Sequence, residues 1–132
     1  MPPGRSRNVR SHASFSLPKR SKSRQPLAPA IDYCEGLPRN FSGRHVADQL
    51  LRSATSVAAN YAEASEAESP ADFIHKLRLA LKELKESRVW LLFGERIDPT
   101  RSVDALRQES HELMLMISSS ITTAQRRVRQ GR

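Results

Sequence analysis

The chain has 132 residues, a length that fits one domain, and its aromatic content of 5% is too low for a β-sandwich, whose strands draw on Tyr, Phe, Trp and β-branched residues. A single cysteine, Cys34, excludes an internal disulfide or a multi-cysteine metal site and fits a reducing cytoplasm. The net charge of +8 is concentrated at the ends. Residues 1–26 carry seven basic side chains and no acid, residues 126–132 add four more, and the stretch between has 11 basic against 14 acidic residues.

Residues 1–29 hold five prolines among Ser and Arg and keep no hydrophobic period, so the composition predicts a disordered basic tail. It has no apolar stretch of the kind a secretory signal needs. Residues 30–37 have room for two turns of helix before Pro38. The next element starts near Arg44 with Ser42 as its N-cap and runs to Ser65. Val46, Leu50, Ala54, Val57, Ala58 and Tyr61 recur at three- and four-residue spacing, one face of a helix.

Ser69-Pro70-Ala71-Asp72 reads as an N-cap, a proline at the first helical position and an acid facing the positive end of the helix dipole. A seam follows at Phe73, Leu77, Ala80, Leu84, Ser87 and Leu91, with Gly94 as the left-handed stop. Asp98-Pro99-Thr100 reads as a further start. The last helix, to about Arg127, places Leu106, Ser110, Leu113, Ile117, Ile121, Ala124 and Val128 at four-three spacing. The bundle domain is thus expected over residues 30–128, with a second basic tail at 129–132.

Connections of about five residues between long helices force antiparallel neighbours. Helix rise then sets Arg52 beside Glu83, Val57 near Leu77 or Arg78, and Ala80 level with Leu113. The third helix is more apolar than one seam requires, through Ile74, Leu79, Leu81, Val89, Trp90 and Leu92. A second buried face is expected, covered in part by the first helix and in part by a neighbouring subunit.

Chemical signatures are sparse. No Glu-x-x-His occurs, and the paired glutamates at i, i+3 suit solvated faces or Lys/Arg partners. His45, His75 and His111 fall on three helices without a nucleophile nearby, and the five glycines form no phosphate loop. No catalytic, metal or cofactor-binding residue is expected, and no small-molecule substrate. Arg52, Asn60 and Glu63 stand out as polar positions suited to helix-to-helix ion pairs and hydrogen bonds. The basic ends have two readings, attraction of phosphates or a solvated terminus, with Arg39, Arg44, Arg126, Arg127 and Arg129 as the candidate nucleic-acid contacts.

The run from Gln49 through Arg52, Ser53 and Asn60 to Glu63 and Ala64 resembles the bacterial four helix bundle protein family, also called 23S ribosomal RNA intervening-sequence proteins. So does the run from Ser69 through Asp72, Phe73, Lys82, Glu83 and Glu86 to Trp90-Leu91. With Leu37-Pro38 before them and Glu109–Leu115 after, the likeness covers roughly residues 37–125. It implies an all-α, left-handed, up-down-up-down bundle that assembles as a homopentamer. It also implies kinship with the accessory variability determinant of retroelements, which engages nucleic acid. Pro18, Pro26 and Pro29 stand where the family's first helix runs, which implies a truncated or irregular first helix here.

Overall fold

The computed structural model describes residues 27–131. They form four helices: α1 Leu27–Gly36, α2 Phe41–Ser65, α3 Pro70–Ile97 and α4 Asp104–Arg129. No strand occurs among the described residues, and none of their helices is long and apolar enough to cross a membrane. Most of the expected tail, residues 1–26, lies outside the described residues, as does Arg132.

α1 begins three residues earlier than its composition suggests and takes in Pro29. Proline is tolerated there because it is the third helical residue. The first N–H groups of a helix have no intrahelical acceptor, so the missing proline N–H costs nothing there. The helix stops at Gly36, before Leu37 and Pro38.

α2 is capped by Asn40, not Ser42. Asn40 lies in the β region at φ −111°, ψ −178°, and its Oδ1 accepts a hydrogen bond from Gly43 N at 2.9 Å. Ser42 is already inside the first turn. Gly43 is buried there, and a methyl at its Cα would collide with the Pro38 carbonyl oxygen, so the tight entry into α2 requires glycine.

The start of α3 is as expected. Ser69 Oγ accepts from Asp72 N at 3.1 Å, Pro70 opens the helix, and Asp72 sits in its first turn. Its end is not. α3 runs through Gly94 to Ile97, and Gly131 is the positive-φ glycine among the described residues. Gly94 serves packing instead: a methyl there would collide with Tyr33 Oη on α1. Asp98-Pro99-Thr100 likewise forms a turn and not a helix start. Asp98 Oδ1 accepts from Thr100 N at 3.2 Å and Thr100 Oγ1 at 2.5 Å, and α4 begins at Asp104, behind Val103.

This later start shifts the α3/α4 register. Arg88 Nη1 lies 3.7 Å from Met114 Sδ and Arg107 faces Glu95 at 3.9 Å. These pairs set Ala80 level with about residue 122, about two and a half turns beyond the expected Leu113. The α2/α3 register agrees with expectation: Arg52 meets Glu83 at 3.4 Å, and Val57 and Leu77 share one core cluster.

The buried residues fall into two clusters. The larger joins α2, α3 and α4 around Phe73, Leu77, Ala80, Leu84, Leu113, Ile117 and Ile121. The smaller brings in α1 through Tyr33, Cys34 and Leu37, packed with Val46, Leu50, Leu91 and Val103. α1 therefore seals one end of the bundle only. Arg101, in the α3–α4 turn, holds it there. Its guanidinium lies 4.8 Å from the Tyr33 ring centroid, and Nη1 donates to the Tyr33 carbonyl at 2.9 Å, one of the carbonyls left over at a helix C-terminus. Burial, opposed by Arg101, raises the Tyr33 pKa, and burial pushes the Cys34 thiol up to about 11.

Gly94→Ala is expected to cost about 1–3 kcal/mol of stability in urea unfolding, the usual range for an overpacked core. Tyr33 Oη is buried without a hydrogen-bond partner among the described residues, so Tyr33→Phe removes the colliding atom without breaking a bond. The Gly94→Ala penalty should fall in that background; an unchanged penalty would place the strain elsewhere.

Candidate interaction surface

The motif residues on α2 and α3 form a polar ladder along the seam between the two helices. Near the α2–α3 turn, Lys76 Nζ donates to Glu63 Oε2 at 2.7 Å. Midway, Ser53 and Ser87 meet: Ser53 is wholly buried, and the two hydroxyl oxygens are 2.8 Å apart. Each serine also has an acceptor in its own helix, Leu50 O at 3.1 Å for Ser53 and Glu83 O at 3.0 Å for Ser87. One hydroxyl can therefore donate across the seam while the other satisfies itself locally.

Beside this pair, Arg52 spans Glu83 and Glu86. Glu83 Oε2 is buried without a hydrogen bond and draws its compensation from Arg52 Nη1. Glu86 Oε1 accepts from Arg52 Nη2 and from Trp90 Nε1, the latter at 3.2 Å. The hydrogen bond from Arg52, and after it that from Trp90, holds the Glu86 carboxyl below the usual carboxylate range.

The cross-helix role expected of Arg52 and Glu63 thus holds, and that of Asn60 does not. Asn60 Nδ2 donates to Ser56 O at 2.9 Å, a bond within α2. The helix carbonyl four residues back is the nearest acceptor for its short side chain. Phe73 is a core residue at 2% exposure, Asp72 belongs to the cap of α3, and Lys82 is exposed.

The ladder ends in an aromatic patch. The His45 and Trp90 rings meet edge to face at 5.5 Å, and Trp90 lies 5.6 Å from Phe93. The α2/α3 register puts Phe41 at about the same level along the bundle. Phe41 is 85% exposed, Phe93 51% and Val89 47%. Trp90 and Phe93, two of the chain's seven aromatic side chains, therefore stand together beside His45. The surplus apolarity of α3 flagged Val89 and Trp90. Phe41 and Phe93 escape that reading, because Phe41 lies in a capping turn and Phe93 continues an apolar run.

The candidate nucleic-acid contacts are not brought together. Arg39 and Arg44 are exposed at the end where α2 begins, and Arg126, Arg127 and Arg129 are exposed in the last turns of α4, at the opposite end. Helix rise separates the two groups by about 30 Å.

The family model for the 23S rRNA-intervening sequence protein matches residues 21–119. Among solved structures, the chain is similar to a protein of unknown function from the S23 ribosomal protein family of Bacteroides thetaiotaomicron VPI-5482. The two share 32% identity over 72% of this chain and 87% of that one, with a TM-score of 0.62. No curated protein matches.

Trp90, the single tryptophan, reports on the ladder. Because folding lowers the Glu86 pKa, the stability from this carboxylate is present above its unfolded value of about 4.3 and is lost as pH falls through the lower folded value. Trp90 emission should change with a midpoint below that of a free glutamate side chain. Arg52→Ala should move that midpoint upward, and Glu86→Gln should abolish the transition. A midpoint unmoved by Arg52→Ala would remove the arginine as its cause.

Proposed function

This chain belongs to the 23S rRNA-intervening sequence protein family, and we propose that it is a non-enzymatic interaction scaffold of the cytoplasm that works through self-association. The observation carrying this reading is the patch of Phe41, Val89, Trp90 and Phe93, backed by a rigid ladder. Monomeric proteins keep large apolar groups dispersed, whereas Trp- and Phe-rich clusters ringed by polar groups are where association energy concentrates. Arg52 and Glu86, the latter bonded to Trp90 Nε1, supply such polar groups beside it. The assembly is a homopentamer, as the family resemblance implies, and it needs no cofactor or small-molecule substrate.

A second reading has the protein bind RNA. Arg126, Arg127 and Arg129 project from the last turns of α4, and the family's name ties it to a ribosomal RNA insertion. Contacts of this kind are made to phosphates and weaken as salt rises.

Light scattering on the purified chain at micromolar concentration should give a mass several times that of the 14.9 kDa protomer. Phe93→Ser combined with Val89→Ser should weaken assembly tenfold or more, with the helical circular dichroism retained. A monomeric wild-type chain ends the scaffold reading. For the second reading, RNA affinity should drop steeply between 50 and 200 mM salt and flatten on replacing the three C-terminal arginines by alanine, roughly one unit of log–log slope per lost contact. Affinity indifferent to salt would end it.

A further inference from the structure

The acids of α3 are turned into its seams. Glu83 and Glu86 meet Arg52 of α2, Glu95 meets Arg107 of α4, and Asp72 belongs to the cap of the helix. Three of its basic residues do the opposite. Arg78, Lys82 and Lys85 are exposed, and successive spacings of four and three return them to one outward face. Among the described residues, no acid lies within ion-pair distance of any of the three, whereas Arg52, Lys76 and Arg107 all have carboxylate partners. Like charges three and four residues apart weaken a helix slightly. α3 nevertheless sets these cations in a row, although residues 27–125 hold more acids than bases.

The row continues across the seam to α4. The Arg88–Met114 and Arg107–Glu95 contacts put Arg78 level with about residue 124, and Arg129 stands about 8 Å further along the axis. Arg129 is about six turns past Arg107, so it returns to the side of α4 that meets α3. From Lys85 to Arg129 the row spans about 18 Å. A straight cationic row fits a linear polyanion. A helix that seats on a membrane needs exposed apolar side chains among its basic ones. Here the neighbours Leu77, Ala80 and Leu84 are buried in the core. The exposed apolar side chains of α3, Val89, Leu92 and Phe93, all lie beyond Lys85, so none is interleaved with the row.

We propose that Arg78, Lys82 and Lys85 form a binding row for the phosphodiester backbone of RNA, joined by Arg129 at the α4 end. The assignment deepens the RNA reading and rests on it: the principal contacts move from the ends of the chain to the first half of α3. Phosphate contacts of this kind hold a strand in position without reading its sequence.

Fluorescence anisotropy with the full chain and an unstructured single-stranded RNA tests the row. Lys82→Gln with Lys85→Gln should weaken binding about tenfold or more at low salt and lower the log–log salt slope by roughly 1.4–1.8, at about 0.7–0.9 per lost contact. Arg39→Gln with Arg44→Gln removes the same charge at the opposite pole and should cost much less. Lys82→Arg with Lys85→Arg keeps the charge and should keep the affinity. All four positions are exposed, so the helical circular dichroism should be unchanged in every variant. Equal losses in the two glutamine variants would mean that net charge alone sets the affinity; the row is then overturned and the RNA reading stands. An unaltered chain that binds no RNA at low salt ends both. Phosphatidylserine vesicles bound through Lys82 and Lys85, with RNA affinity indifferent to the same two changes, would overturn the row by giving it to a membrane surface.

Discussion

The close approach of α2 and α3 at Ser53 and Ser87 is the constraint from which the other positions follow. Two small side chains let the helix backbones come together, and the shared hydrogen bond leaves neither hydroxyl stranded in the core. A leucine at either site would push the helices apart and drag Arg52 away from Glu83 and Glu86. With this register fixed, α3 presents one side to α4 and leaves another facing outward. The larger core forms on the first side, and the aromatic patch stands on the second.

Much of this was legible in the amino acids. Repeating apolar spacing identified α2, α3 and α4, the Ser69-Pro70 signal located the start of α3, and helix rise placed Arg52 against Glu83. The misreadings share a cause: one residue type serves several physical ends. Glycine at 94 suits a helix terminus by its backbone freedom, yet Tyr33, some sixty residues away in the chain, selects it for its lack of a side chain. Asp98 has the chemistry of a cap and spends it on a turn. Asn40 and Ser42 both offer a capping oxygen, and Gly43, whose amide lies within reach of Asn40, decides between them. Arg101 had no local signal at all, because its partner is a carbonyl on α1.

The site was legible in outline. Arg52, Glu63, Glu83 and Glu86 belong to one ladder, of which the spacing along two antiparallel helices anticipated the Arg52–Glu83 pair. The aromatic patch is assembled from opposite ends of the α2–α3 hairpin, so no window of sequence contains it. The basic candidates looked like one group in a list of charges, and the fold divides them between the two poles of the bundle. Both poles therefore carry cationic groups, and the apolar aromatic patch adds to them only near the start of α2.

The grip of Arg101 on Tyr33 has a consequence for how the protein breathes. A ten-residue helix at the edge of a domain would ordinarily fray by itself, since it buries little. Here the Tyr33 carbonyl and ring are held by Arg101, in the connection that launches α4. Loosening α1 releases that connection, and loosening the connection releases α1. The two are a single cooperative unit that joins sequence positions almost seventy residues apart.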